Sequence, residues 1–359
     1  MSLEGFCGQP DYGERMVPQV NDRAWLTWVE RDLERTVPRD GQALSPALFH
    51  CRVDDQPDHL VPAHLLPRRQ ADRPLTINPA CVWTVEGAIP GELSPEIPFT
   101  DKFALQNEIA WVRDESSARI DPFWLGEETV EKLLRIRSGR TAAAERFSSR
   151  MLSSLLSAGV LLGVEESGKQ ARERSEARTL TASIFQRRGF APVRGLLHPF
   201  HISALRRYYR YLIRSGEMRL GDPQSPKRYV AHNQSVARFF HHQLAPTISA
   251  LVGEQVRPSY VYVASYQPGA DLEKHTDREQ CEFSISFCLD FSPEPHNQTG
   301  WPLILHTPEG TVSVYQAIGD GLLYRGMDVP HSRMSLGAGR TSTSIFFHYV
   351  GEKFQGSLD

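Results

Sequence analysis

The sequence predicts an α+β fold with a β-rich C-terminal half, on three observations. The chain has 359 residues, long for a single hydrophobic core, so two domains or one domain with a large extension are expected. Apolar residues recur at helical spacing in several segments as far as Val252, the pattern of packed amphipathic helices. Beyond Pro258 the pattern changes to short apolar or alternating runs parted by Gly- and Pro-rich turns, as in a sandwich, barrel or jelly roll. A stretch dense in both charge signs, Glu165 to Arg188, sets the boundary near residue 180. Residues 1–180 then form a mixed α/β accessory or substrate-recognition domain, and 181–359 the domain that holds the chemistry.

The N-terminal half is rich in proline. A short helical pattern runs from Trp25 to Leu33, and prolines at 57, 62, 67, 74, 79, 90, 95 and 98 cut the next stretch into extended pieces and turns. Ile109 to Val112 reads as a strand and Pro122 to Gly126 as the turn before a helix, Glu127 to about Ile136, whose glutamates 127, 128 and 131 suit its positive N-terminal end. A second helix covers about Ala142 to Ala158, with Phe147, Met151, Leu152, Leu155 and Leu156 at helical spacing and Gly159 as its stop. Val160 to Val164 is a short strand. Helix, helix and strand with this tight turn resemble part of a winged-helix unit, similar to the peptide-binding winged helices attached to some peptide-modifying enzymes. The charged stretch to Arg188 reads as a solvated helix or linker.

Gly189 to Leu197 is the next strand. The helix from His201 to Arg214 carries Leu205, Tyr208, Tyr209 and Leu212 on its apolar side. Arg206, Arg207, Arg210 and Arg214 fall mostly on the other, a solvated face rather than a nucleic-acid stripe. A further helix, Ser235 to Val252, packs Val236, Phe239, Phe240, Leu244, Ile248 and Leu251, and its adjacent His241 and His242 point apart and read as structural. The strands expected after it are Ser259 to Gln267, Cys281 to Phe291, Leu303 to His306, Val312 to Gln316, Gly321 to Arg325 and Thr341 to Tyr349.

Composition narrows the function classes. A hydrophobic share of 40%, a charged share of 23% and a net charge of −3 belong to an ordinary globular protein with no global pull toward nucleic acid or anionic membrane. Cys7, Cys51, Cys81, Cys281 and Cys288 are odd in number and form no C-x-x-C pair, so reduced thiols in a cytoplasmic protein are expected rather than a cysteine zinc site. The N-terminus lacks the basic patch and apolar run of a signal peptide. No apolar run approaches the roughly 18 residues of a membrane helix.

Two histidines and a carboxylate carry the chemistry. Residues two apart on an extended strand share a face, so the His275 imidazole and the Asp277 carboxylate can close on one ion. His331, 54 residues after Asp277, would complete a two-histidine, one-carboxylate face, which on non-haem Fe(II) leaves positions open for substrate and oxygen. A lone His-x-Asp is a weak motif. Its neighbours make it specific: Tyr266-Gln267-Pro268-Gly269 precedes it, Gly319-Asp320 and Pro330-His331 come later, and Arg340-Thr341-Ser342 begins nine residues after His331. Arg340 and Ser342 share a strand face, so a guanidinium fork and a hydroxyl can meet one carboxylate.

This order of Tyr-x-x-Gly, His-x-Asp, Gly-Asp, Pro-His and Arg-x-Ser, between Gly189 and Val350, resembles the Fe(II)/2-oxoglutarate-dependent dioxygenases, especially their prolyl 4-hydroxylase-like branch. The resemblance implies a double-stranded β-helix, a jelly-roll variant. It implies His275, Asp277 and His331 as iron ligands, and Arg340, helped by Ser342, on the distal carboxylate of 2-oxoglutarate. It further implies O2 as co-substrate, succinate and CO2 as products, and ascorbate as a stimulant. The expected reaction is hydroxylation of an unactivated C–H bond, or a related desaturation or cyclisation, on a small metabolite, amino acid or peptide. Asp277 separates the chain from the halogenating relatives, which carry a small residue there so that halide can reach iron.

Other residues have weaker claims. Tyr266 occupies the motif tyrosine, and Tyr262 lies four residues earlier on the same face; either could reach the co-substrate, and both suit core aromatics. His306 and His348 read as hydrogen-bonded core histidines, the second on the face of Arg340, Ser342 and Ser344. His296 and Trp301 are candidates for the site mouth, and Arg228, His232 and Asn233 for substrate contacts. Two competing readings are a cupin-type metal centre with Glu279 or Glu282 as its glutamate, and a peptide-binding or scaffolding protein whose jelly roll is non-catalytic.

Overall fold

Two β-sheets face each other in the C-terminal half, and the groups with chemistry hang between them. The computed structural model describes residues 48–53, 75–84, 88–91, 93–105, 108–114, 117–137, 147–163 and 167–359. The expected helix from Trp25 to Leu33 and the turns at prolines 57, 62, 67 and 74 lie outside these residues.

The N-terminal elements are β1 (Leu75–Ile77), β2 (Cys81–Trp83), β3 (Ile109–Arg113), β4 (Ile120–Trp124), α1 (Glu127–Arg137), α2 (Ser149–Ser157) and β5 (Leu161–Gly163). The stretch expected as a turn, Pro122 to Gly126, is mostly strand: β4 pairs antiparallel with β3, Pro122 opposite Trp111. It is the edge of a three-stranded sheet in the order β2-β3-β4, where proline, lacking an N–H, is tolerated. The Ser148 hydroxyl caps α2 by accepting from the Met151 N–H, and Gly159, at φ 72°, ends it. After that stop, β5 pairs antiparallel with β1.

Next come α3 (Ser167–Arg188), β6 (Phe190–Val193), α4 (Pro199–Arg214), β7 (Arg219–Leu220), β8 (Arg228–His232), α5 (Ser235–Val252) and β9 (Val256–Tyr266). The chain closes with β10 (Leu272–His275), β11 (Phe283–Ser292), β12 (Leu303–Thr307), β13 (Gly310–Val314), β14 (Gly321–Tyr324), β15 (His331–Arg333) and β16 (Thr341–Gly351). One sheet runs β6-β14-β11-β16-β9-β8-β7 and the other β10-β15-β12-β13, with antiparallel neighbours throughout. Leu303 and Leu305 of the smaller sheet pack on Leu322 and Tyr324 of the larger, giving a two-layered antiparallel arrangement consistent with a jelly roll.

Alternation sorts the larger sheet into two faces. Ile285 and Phe287 of β11, Ile345, Phe347 and Tyr349 of β16, and Val261 and Val263 of β9 point outward into one core with Phe185 of α3 and Phe240, Leu244 and Ile248 of α5. That core does not stop at the helices. Phe103 stands 4.9 Å from Phe239, and Phe49 stands 5.9 Å from Phe240, so apolar packing runs on into the N-terminal elements.

Two arginines break the expectation of a solvated face on α4. Between Cys288 and Asp290 the pairing of β11 with β16 slips by one residue, a bulge that turns Asp290 from the inner face to the outer. There its carboxylate accepts from Arg206 at 2.9 Å and from Arg210 at 2.6 and 2.8 Å. Arg206 is buried. These guanidiniums are therefore spent on an internal ion pair, which helical spacing alone cannot reveal.

Candidate active site

His275 ends β10 and sits directly across from His331, the first residue of β15, with the two rings 4.4 Å apart. Asp277 lies beyond the end of β10, so a shared strand face is not what brings it in. The chain turns there, and the Asp277 N–H donates to the Gly326 carbonyl at 3.0 Å. Asp277 Oδ1 then stands 3.7 Å from His275 Nε2 and 3.6 Å from His331 Nε2.

The turn needs glycine at 326. A Cβ there would stand 2.4 Å from the Cys281 carbonyl oxygen and 2.5 Å from Asp277 Oδ2, closer than real Cβ contacts allow. Gly326 thus permits the approach of backbone that holds the carboxylate.

The donor set fits a metal ion. The ligand atoms of His275, Asp277 and His331 lie within 4.8 Å of one another, room for an ion with bonds of about 2.0–2.2 Å after slight closure. His275 Nδ1 contacts the Glu273 carbonyl at 2.8 Å and His331 Nδ1 the Val329 carbonyl at 3.0 Å. A carbonyl only accepts, so both Nδ1 atoms carry the proton and both Nε2 lone pairs face the gap, as metal-binding imidazoles require. Burial lowers the pKa of His331, although the Asp277 carboxylate opposes the shift.

The second carboxylate oxygen is held from behind. The Ser284 hydroxyl donates to Asp277 Oδ2 at 2.9 Å and contacts His348 Nδ1 at 2.9 Å. One hydroxyl proton serves one acceptor, so His348 Nδ1–H is the donor to Ser284. Asp277, Cys281 and His348 are also mutually close, but His348 Nδ1–H is given to Ser284 and the Cys281 sulfur meets the Tyr260 hydroxyl at 3.1 Å, so they form an outer support. Burial holds His348 down at about 4 and pushes the Cys281 thiol up to about 12.

The inner face of the larger sheet supplies the wall beside the triad: Ser284 and Ser286 of β11, Ser342 and Ser344 of β16, and Tyr266 of β9. Ser342 is buried and faces Tyr266 in register. The Tyr266 hydroxyl accepts from Arg228 at 2.8 Å, while Tyr262 donates its phenolic proton to Asp222 and has none left to offer a co-substrate. Arg340 is exposed at the entrance to β16, with Nη1 against Gly300.

The other candidates are held by partners of their own or lie at the surface. His306 contacts the Ser332 hydroxyl at 3.0 Å. His296 is exposed, and Trp301 is buried with its indole N–H on the Met334 carbonyl. Arg228 is buried and paired with Asp222, His232 meets Asp359 at 3.1 Å, and the Asn233 side chain accepts from the Val261 N–H. Glu282 is committed to the Gly351 N–H. A cavity of about 260 Å³ lies apart from the triad in the N-terminal half, lined by Val82, Leu93, Trp111 and Ile120 with Glu96 and Arg113.

One inner-wall residue escapes a reading by motif. Arg333 lies two residues past His331 on β15, is 5% exposed, and donates to the Trp301 carbonyl at 2.9 Å and the Ser286 hydroxyl at 3.4 Å. The rule that pairs residues two apart on a strand also puts it on the face of His331.

No family model matches the sequence, and no curated relative does. Solved structures similar to the C-terminal half are 2-oxoglutarate/Fe(II) oxygenases. A Trichoplax adhaerens prolyl hydroxylase bound to a hypoxia-inducible-factor peptide is 15% identical, covering 53% of this chain and 96% of its own, at a TM-score of 0.45. A Pseudomonas putida prolyl-4-hydroxylase is 19% identical, covering 48% and 100%, at 0.38. A non-haem α-ketoglutarate-dependent epimerase of nogalamycin biosynthesis is 16% identical, covering 49% and 83%, at 0.41.

Proposed function

We propose that the C-terminal half is an Fe(II)- and 2-oxoglutarate-dependent oxygenase that hydroxylates an unactivated C–H bond of a small molecule, amino acid or peptide. The observation that carries this reading is the convergence of His275, Asp277 and His331, with both imidazoles fixed in the tautomer that offers Nε2. These three residues would hold the metal on one face and leave the opposite face open. Fe(II) with 2-oxoglutarate supplies oxygen activation coupled to decarboxylation of the 2-oxo acid, with succinate and CO2 as products.

The chain's own residues do the positioning. Ser284 holds Asp277 Oδ2 so that Oδ1 faces the gap, and His348 holds Ser284. A carboxylate at 277 fills the place that a halide would need, which favours hydroxylation over halogenation. For the far carboxylate of the co-substrate the motif marks Arg340 with Ser342, and the inner wall offers a second guanidinium, Arg333.

Residues 181–359 are proposed as the oxygenase unit and 1–180 as an accessory unit that walls the pocket or recognises substrate. The apolar packing of Phe49 and Phe103 on Phe239 and Phe240 supports a fixed wall over a loosely tethered module. Among the described residues no helix is long and apolar enough to cross a membrane.

Aerobic incubation of the purified protein with Fe(II), ascorbate and 2-oxoglutarate tests the function. Succinate should accumulate, slowly without the natural substrate, and His331→Ala should yield none. Equal succinate from both proteins refutes the reading.

A further inference from the structure

Four arginines among the described residues are buried: Arg119, Arg206, Arg228 and Arg333. Three have an aspartate. Arg119 pairs with Asp121, Arg206 with Asp290 and Arg228 with Asp222. Taking a guanidinium out of water is costly unless a carboxylate and further hydrogen bonds compensate, and at these three positions the fold supplies both.

Among the described residues, no carboxylate pairs with Arg333. Its five N–H groups meet two neutral oxygens, of Trp301 and Ser286, and among the described residues its Nε has no hydrogen-bond partner. The guanidinium carbon lies 4.5 Å from the Trp301 ring centroid, a contact that holds the plane in one orientation. A fixed, dehydrated fork with an unused N–H is built for an anion that is not part of the chain.

We propose that Arg333 is that anion's site and takes the distal carboxylate of the 2-oxo acid co-substrate. The proposal rests on the oxygenase reading. Two residues of strand set Arg333 about 6–7 Å beyond His331 on the same face, a span that a five-carbon 2-oxo diacid can bridge from the triad side. Arg340, the residue the motif marks, is exposed. The same ion pair made there competes with water and is worth much less than one made in the interior. The site therefore selects 2-oxo acids with a second carboxylate, and it selects them mainly through Arg333.

The test uses full-length protein loaded with Mn(II) and calorimetric titration of two ligands, 2-oxoglutarate and 2-oxovalerate, which share a chain length and differ in a carboxylate or methyl end. Wild type should prefer 2-oxoglutarate by roughly 10- to 150-fold, the range of a charge-assisted hydrogen bond. Arg333→Met should bind Mn(II) and 2-oxovalerate as wild type does and lose the preference. Arg340→Met should keep most of it. Arg333→Lys, which keeps the charge without the fork, should fall between wild type and Arg333→Met, and it carries the test if the methionine variant does not fold.

If Arg340→Met erases the preference and the Arg333 variants keep it, the assignment is overturned while the oxygenase reading stands. If Mn(II)-loaded wild type binds neither ligand, the oxygenase reading fails and takes this assignment with it.

Discussion

The two faces of the seven-stranded sheet come from the same strands and have opposite chemistry. Outward, β9, β11 and β16 present Val261, Val263, Ile285, Phe287, Ile345 and Phe347 to the helices. Inward, the alternate positions mix the polar Ser284, Ser286, Ser342, Ser344 and His348 with Cys288, Phe346, Ala264 and Tyr266, all buried. A buried serine stabilises little and needs a partner, so four of them on the wall beside His275, Asp277 and His331 suit the ligand-binding role proposed for this face. Folding free energy comes mainly from the outer face, and the inner face uses part of it to hold polar groups out of bulk water.

Breaking the inner face should separate activity from stability most widely. His275→Ala should reduce succinate formation to background with little change in the thermal midpoint, since the imidazole contributes one ligand and little core packing. The outer face should respond in reverse. Phe347→Ala removes a fully buried ring and should destabilise by about 3–5 kcal/mol, read by denaturant unfolding. The protein that stays folded should bind Mn(II) as wild type does.

The bulge at Asp290 sharpens the contrast because it moves one carboxylate from the inner face to the outer. Asp290→Ala would remove the buried carboxylate that Arg206 and Arg210 share, leaving Arg206 with Glu294 at 3.1 Å, and should cost about 3 kcal/mol. Burial opposes ionisation of Asp290, but Arg206 and Arg210 outweigh it and hold the carboxyl below the usual carboxylate range. A depressed native pKa stabilises above the unfolded value, near 3.9, and that contribution fades as pH falls through the native one. The acid limb of the wild-type stability curve below about pH 4 should accordingly be steeper than that of Asp290→Ala.

The smallest effect should come from the support behind the proposed metal ligands. Ser284→Ala removes the hydroxyl on Asp277 Oδ2 and should weaken Mn(II) affinity by about 10- to 100-fold with little loss of stability. An unchanged affinity would mean that the Asp277 backbone contact to Gly326 suffices to aim the carboxylate.

Much of this division is legible in the sequence. Period-two alternation in β9, β11 and β16 marks the two faces, and the spacing of His275, Asp277 and His331 marks residues that the fold does bring together. What stayed hidden depends on geometry that periodicity does not carry. Counting by two along β11 puts Asp290 inside, and only the slipped pairing with β16 turns it out to Arg206 and Arg210. The strand β15 has three residues, too few to announce a face, so Arg333 could be found only by counting from His331. Gly326 and Ser284 reach Asp277 in contacts across the fold that no local motif records. Pro122 hid an edge strand for the opposite reason: its signal as a breaker is strong, and a place at the sheet edge, where a missing N–H is tolerated, overrides it.

The most direct test of the triad is anaerobic titration of Fe(II)-loaded protein with 2-oxoglutarate, watched by visible absorption. Chelation of a 2-oxo acid by Fe(II) produces a metal-to-ligand charge-transfer band. A saturable band in wild type that His275→Ala and Asp277→Ala both lose is the expected result. No band in wild type, or one that survives in either variant, would contradict the assignment of His275, Asp277 and His331 as the iron-binding face.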